Sequence, residues 1–99
     1  METTATIKAT VVAKEEISSF KFPKEDVLKD KERQKELKNS IEKGMKLGNS
    51  YKGKVRIVFE DNEGLKSVET TIWGVTDKNI LLKQTTLIPI RRVHEIKFY

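Results

Sequence analysis

The feature that most constrains the fold is a change of hydrophobic periodicity near Gly48. Before this residue the chain is rich in charged side chains, and its apolar residues recur at helical spacing. After it, apolar and polar residues alternate in short segments rich in Val, Ile and Thr. A helical repeat indicates an amphipathic helix, and strict alternation indicates a strand. A chain of 99 residues has room for one hydrophobic core, so the sequence predicts a single α+β domain.

The first 22 residues are predicted to form a strand followed by a linker. Within residues 5–13, Ile7, Ala9 and Val11 alternate with polar residues, which is the pattern of a half-buried strand. Because the apolar side of this segment is small, we expect an edge strand or a loosely attached arm.

The helix is predicted over residues 23–48, with its first turn at Pro23 or at Asp30. Proline suits a first turn, because the N–H that it lacks would have no helical partner there. Gly48 is placed to cap the C-terminal end. The apolar side chains form one narrow stripe that includes Leu37, Ile41 and Met45. Since a charged helix with so narrow a stripe is marginal in water, it must pack on the strands.

The clearest strand signal is a hairpin whose register can be counted. Two alternating segments, the second of which is a strand predicted from Leu65 to Trp73, flank the four-residue turn Asp61–Gly64. This turn ends in a residue suited to tight turns. If Glu60 faces Leu65, then Arg56 lies directly opposite Glu69. The two side chains would form a cross-strand pair of opposite charge.

Three more strands complete the prediction for residues 51–99: Ile80–Lys83, Leu87–Ile90 and Glu95–Tyr99. Pro89 lies in the second of them and implies a sheet edge or a bulge, because proline cannot donate a hydrogen bond to a neighbouring strand. With the hairpin, these segments give five short antiparallel strands.

This order of strands resembles small SH3-like and Sm-like barrels. The likeness is carried by residues 88–96, in which a short apolar-Pro segment is followed by one helical turn before the last strand. The resemblance implies a small five-stranded antiparallel barrel behind a charged helix, over about residues 35–99. It also implies that Val93 points inward while its neighbours Arg91, Arg92 and His94 stay exposed. The chain is similar as well to small uncharacterised bacterial proteins that carry Val-Glu-Thr-Thr-Ile-Trp ahead of Ile-Pro-Ile.

Composition and motifs argue against several classes of protein. The chain has no cysteine, which removes disulfides, thiolate zinc sites and cysteine nucleophiles. No stretch approaches the roughly 18 apolar residues of a membrane helix, and the first residues do not resemble a secretory signal. We therefore expect a cytoplasmic protein without a membrane partner.

No constellation of residues points to catalysis. His94 is the only histidine, and only Glu95 is a carboxylate close to it in sequence, so a metal site lacks ligands. A nucleophile elbow and a phosphate-binding loop are both missing from the sequence. We expect a non-enzymatic binding module with no cofactor and no metal.

The first hypothesis for its ligand is nucleic acid, in particular RNA. Five residues are the candidates: Lys54, Arg56, Trp73, Arg91 and Arg92. The cations would contact phosphates, and the indole of Trp73 would stack on a base. The indole also has a structural interpretation, which we favour: the apolar stripe of the helix would pack on it, because the helix needs such a partner.

The alternative hypothesis is a protein-interaction or assembly module. An exposed strand edge, such as that of residues 5–13, would pair with a partner protein or with a second copy in a homo-oligomer. Salt dependence separates the two hypotheses, because binding to phosphates weakens steeply as salt increases.

Overall fold

The fold is known from a computed structural model that describes residues 9–51, 53–82 and 86–98, with the side chains of residues 49–51 excluded. The predicted strand at residues 5–13 lies partly outside this description, as do Lys83 and Tyr99 at the ends of two predicted strands. The elements in chain order are β1 (Thr10–Val11), a first 3-10 helix (Lys14–Ser19), α1 (Lys31–Tyr51), β2 (Val55–Glu60), β3 (Leu65–Thr70), β4 (Ile72–Val75), β5 (Asn79–Leu82), β6 (Leu87–Pro89), a second 3-10 helix (Ile90–Arg92) and β7 (Val93–Phe98).

The strands form two sheets. The first has the order β1-β3-β2-β7, in which β1 runs parallel to β3 and the other pairs are antiparallel. The second is antiparallel and has the order β4-β5-β6. The segment predicted as one strand from Leu65 to Trp73 is divided at Thr71, so it supplies β3 to one sheet and β4 to the other. The predicted α+β class is confirmed, whereas the two sheets do not close into a barrel.

The predicted register of the hairpin is confirmed. Glu60 pairs with Leu65, and Arg56 lies opposite Glu69. The turn is stabilised by the Asp61 carboxylate, which accepts hydrogen bonds from the amides of Glu63 and Gly64 at 2.9 and 3.1 Å. Gly64 has a φ of +141°, a conformation that side chains with a Cβ rarely adopt.

Of the two predicted starts of the helix, the one at Asp30 is confirmed, and the helix ends later than predicted. Asp30 caps it: its Oδ1 accepts from the Glu32 amide at 2.9 Å, and its carbonyl accepts from the Gln34 amide at 3.0 Å. Residues 23–30 are not helical, and Asp30 lies at the boundary because an N-cap residue has non-helical backbone angles. At the other end α1 continues through Gly48 to Tyr51, so Gly48 is not the C-terminal cap.

Two glycines of α1 allow it to approach β4 closely. A Cβ on Gly44 would lie 2.9 Å from the Ile72 Cδ1, and one on Gly48 would lie 2.6 Å from the Ile72 carbonyl oxygen. The helix packs on β4 and β7 in this way. Its buried side chains Leu37 and Ile41 join the hydrophobic core. The fully buried side chains of that core are Ile17, Ile41, Val55, Ile57, Phe59, Val68, Ile72, Ile80, Leu82, Ile88 and Val93.

The helix therefore packs on Ile72 and not on the residue after it. Trp73 is 56% exposed, so the prediction that α1 covers the indole is wrong. The reason is that neighbouring strand residues point to opposite faces. The side of α1 that carries Gly44 and Gly48 approaches the face with Ile72.

The turn before β7 is half as predicted. Val93 is fully buried, as expected, but Arg92 is only 6% exposed and both Arg91 and His94 are half-buried. The predicted exposure of these three neighbours is therefore wrong.

Within residues 9–51, 53–82 and 86–98, no helix combines the length and the apolar character that crossing a membrane requires.

Candidate functional site

A partly apolar groove lies beside Trp73, where β1 leaves the first sheet. One wall consists of residues 11–15, and the other consists of residues 69–73, with Gly48 and Lys54 beside them. The space between them has a volume of about 820 Å³. We refer to this site as the Trp73 groove.

A β-bulge directs Trp73 into the groove. Ile72 pairs with Leu82, but the next pair joins Gly74 to Leu81, so Trp73 is an extra residue on β4. Bulges of this kind re-aim a side chain and are common next to functional sites. Ile72 is fully buried and Trp73 is mostly exposed, so the bulge separates a core residue from a surface residue.

The edge of β3 is only partly covered by β1. β1 pairs with Lys66 and Ser67, and the Val12 amide donates to the Ser67 carbonyl at 2.9 Å. Because the amide and carbonyl groups of alternate residues face the same edge of a strand, those of Glu69 face the same side as those of Ser67. A regular parallel ladder would join the Glu69 amide to the Val12 carbonyl, and among the described residues no such hydrogen bond is present. Within the described ranges, the edge of β3 is therefore open at Glu69.

The chain leaves β3 at this point because the next residues are held elsewhere. The Ala13 amide donates to the Glu16 carboxylate at 2.8 Å and so begins the first 3-10 helix. Within that helix Ile17 is fully buried in the core. Burial of one large aliphatic side chain stabilises by about 1.5–3 kcal/mol. This exceeds the roughly 0.5–1.5 kcal/mol of the one hydrogen bond that the chain would gain by continuing along β3.

The groove is electrically balanced. Its charged side chains are Lys14 and Lys54 on the one hand, and Glu15 and Glu69 on the other. Lys14 is itself close to a carboxylate, since its Nζ lies 3.8 Å from the Glu15 Oε2. Arg56 lies on the neighbouring strand, directly opposite Glu69. The site therefore combines exposed apolar surface with no excess of positive charge.

Arg92 lies away from the groove and is enclosed by the protein. Its Nε donates to the Glu60 carbonyl at 3.0 Å, and its Nη1 donates to the Glu25 carbonyl at 2.8 Å. Its Nη2 lies 3.7 Å from the Glu60 carboxylate. The guanidinium thus fastens the segment before α1 to the end of β2.

Arg91 makes a similar attachment one residue earlier. Its Nε donates to the Pro23 carbonyl at 3.0 Å, and its Nη2 donates to the Phe22 carbonyl at 3.5 Å. The backbone carbonyl of Arg91 accepts from the Val27 amide at 2.9 Å. Both predicted arginines therefore act within the structure, where they satisfy backbone groups of residues 22–27.

His94 belongs to the same polar cluster. Its Nε2 lies 2.9 Å from the Glu60 Oε1, so the histidine contacts a carboxylate that Arg92 also approaches. Among the residues that the structure describes, no group of three His, Cys, Asp or Glu side chains could hold a metal ion.

The structure brings together two of the five predicted site residues. Lys54 and Trp73 line the groove, Arg56 lies beside it, and Arg91 and Arg92 lie elsewhere. The sequence indicated the strand of residues 5–13 as a candidate binding edge, but it did not single out Val11, which is 70% exposed. The alternation of residues 5–13 indicated a strand, but no local signal showed where that strand would leave β3. Comparison of the chain with protein-family models, curated proteins and solved structures finds no match.

Proposed function

We propose that this protein is a non-enzymatic interaction module that binds an extended segment of a partner protein by adding it as a strand to β3 in the Trp73 groove. The observation that carries the proposal is the open edge at Glu69. An exposed strand edge is a template for pairing with another chain, and backbone hydrogen bonds made there provide affinity for an extended peptide.

The apolar side chains at the groove support a protein ligand. Val11 and Trp73 are more exposed than the other large apolar side chains of the described chain, and both line this groove. An added strand would cover part of both. Because burial of apolar surface stabilises by roughly 25 cal/mol per Å², the two side chains would supply affinity beside the backbone hydrogen bonds.

Single-stranded nucleic acid is the second candidate ligand. It is favoured by the exposed indole, by Lys54 and by the net charge of +5, since exposed aromatic side chains stack on bases. The balanced charge of the groove and the internal role of Arg91 and Arg92 favour a peptide instead, because affinity for nucleic acid depends mainly on phosphate contacts.

The likeness to SH3-like and Sm-like proteins also remains a proposal. It is supported by the chain order of β2 to β7 and by the single helical turn before β7.

A second copy of the chain, in a homo-oligomer, is one source from which an added strand could come.

The test uses a substitution that blocks only the outward side of β3. Glu69→Pro removes the amide hydrogen that an added strand would bind, and this amide does not face β2. Proline is tolerated where the missing amide faces away from the ladder. Glu69→Ala is the matched control, since it removes the same carboxylate and keeps the amide.

The ligand probes are random decapeptides displayed on phage and selected on the full chain, and mixed-sequence single-stranded oligonucleotides. Trp73 is the only tryptophan, so its fluorescence reports binding in the groove. We expect selected peptides to bind the parent and Glu69→Ala, and to bind Glu69→Pro at least about tenfold more weakly. Equal binding to both variants would exclude strand addition. Oligonucleotide binding that weakens steeply with salt, without peptide binding, would favour nucleic acid.

A further inference from the structure

The contact between β1 and β3 is short. In the described part of the chain it consists of two residue pairs and the hydrogen bond from the Val12 amide to the Ser67 carbonyl. Both residues of β1 are exposed, so little apolar surface is buried when β1 packs on its neighbour. Parallel pairing is also slightly less stable per residue than antiparallel pairing.

The edge beneath β1 is longer than the part that is open. The backbone groups of Leu65, Ser67 and Glu69 face the same side of β3, because alternate residues of a strand face the same edge. Among the described residues, β1 covers this edge at Ser67 and leaves it open at Glu69. If β1 moved away, the open edge would extend from Glu69 past Ser67.

The chain can release β1 without losing the core. Val12, directly after β1, is half-buried and packs against the core; further on, the Ala13 amide is held by Glu16 and Ile17 is fully buried. The junction between the weakly held segment and the firmly held one therefore lies between Val11 and Val12. Segments with few buried contacts open with the smallest free energies in a folded protein.

We propose that β1 is an autoinhibitory strand: it covers the binding edge of β3, and the partner segment displaces it in order to bind. This inference rests on the proposed function and adds its regulation. The partner would then bind with the affinity of the open state reduced by the fraction of molecules in which β1 is released.

Two proline substitutions distinguish displacement from binding beside β1. Val12→Pro removes the amide that donates to Ser67 and so weakens β1. Ala9→Pro is the matched control: alternation places the Ala9 amide on the side away from β3, and Ala9 lies outside the residues that line the groove. The ligand is a decapeptide selected on the full parent chain, and affinity is measured by Trp73 fluorescence.

We expect Val12→Pro to bind the peptide about fivefold more tightly than the parent, the factor that corresponds to one lost hydrogen bond. Ala9→Pro should bind as the parent does. Unchanged or weaker binding by Val12→Pro would overturn the inference, and so would loss of binding by Ala9→Pro, which would place the peptide on the outer edge of β1. Failure of every variant to bind any peptide would instead overturn the proposed function.

Hydrogen exchange tests the release of β1 without a ligand. The Val12 amide, bonded at the edge, should exchange at least about a hundredfold faster than the Val68 amide in the interior of the same sheet. Equal protection of the two amides in the parent would show that β1 does not open separately, and would overturn the inference whatever the peptides do.

Discussion

Two parts of the N-terminal third attach to the strands in different ways. Residues 22–27 are held by Arg91 and Arg92, whose guanidinium groups donate to three of their carbonyls. The side chain of Phe22 also lies against the Phe59 ring, with centroids 6.0 Å apart. β1, by contrast, contributes two exposed residues to the edge of a sheet. The comparison shows that a structural segment is fixed by one buried arginine, one half-buried arginine and aromatic packing, whereas the candidate binding edge lies where such attachments are few.

In the firmly held region, the largest loss of stability is expected from a substitution at Val93. This side chain is fully buried at the start of β7, directly after the two arginines. Val93→Asp places an unpaired charge in the core, which costs several kcal/mol, so we expect the variant to be unfolded at room temperature. Circular dichroism checks this. A variant that melts like the parent would show that the turn does not close onto the core.

Neighbouring substitutions on β4 test which side chain supports α1. Ile72→Ala should destabilise the protein by about 2–5 kcal/mol, because it removes a fully buried side chain. Trp73→Ala should cost less than about 1 kcal/mol, as for a surface residue. Urea denaturation of the two variants gives the comparison, and a larger loss for Trp73→Ala would mean that α1 depends on the indole.

The attachment of residues 22–27 is tested by Arg92→Met, which keeps most of the aliphatic stem. The Glu25 and Glu60 carbonyls would lose their donors, so we expect a loss of about 2–4 kcal/mol in the free energy of unfolding. Arg33→Met, at an exposed position on α1, is the matched control and should be near neutral. Equal effects of the two substitutions would remove the distinction between the firmly held segment and the surface.

The pH dependence of stability tests the turn between β2 and β3. Burial by itself raises the pKa of Asp61, but hydrogen bonds from the Glu63 amide and from Lys66, together with the Lys66 charge, outweigh it and hold this pKa below its ordinary value. A carboxyl with a lowered pKa stabilises the fold above its ordinary pKa and loses this effect as pH falls through the lowered value. The parent should therefore be more stable than Asp61→Asn at pH 7, with the difference shrinking below about pH 4. A difference that stays constant from pH 7 to about pH 3 would contradict this.

Sequence reasoning succeeded where local chemistry decides the structure. The register of β2 and β3 follows from the length of the turn at residues 61–64, and the burial of Val93 follows from one helical turn before a strand. It failed where the position of a side chain depends on backbone groups far away in the sequence. Arginine is usually a surface residue. The backbone carbonyls that bind Arg92 belong to residues far away in the sequence, and no local pattern identifies them.

The same limit explains the error at Trp73. Ile72 and Trp73 are adjacent apolar residues of one strand, and only one of them can point toward α1. The sequence predicts that this is Trp73, the larger of the two. The outcome is set by the approach of Gly44 to Ile72 and by the bulge at Trp73, neither of which alternation alone can reveal. The position of β1 depends in turn on the burial of Ile17, outside the strand itself.

The central claim is that a partner strand pairs with the edge of β3. Amide hydrogen exchange of the full chain, with and without a selected decapeptide, tests it most directly. The Glu69 amide should exchange rapidly in the free protein and become protected at least about tenfold when the peptide is bound, while the Arg33 amide of α1 is unchanged. A Glu69 amide that stays equally fast in the saturated complex would contradict strand addition at this edge.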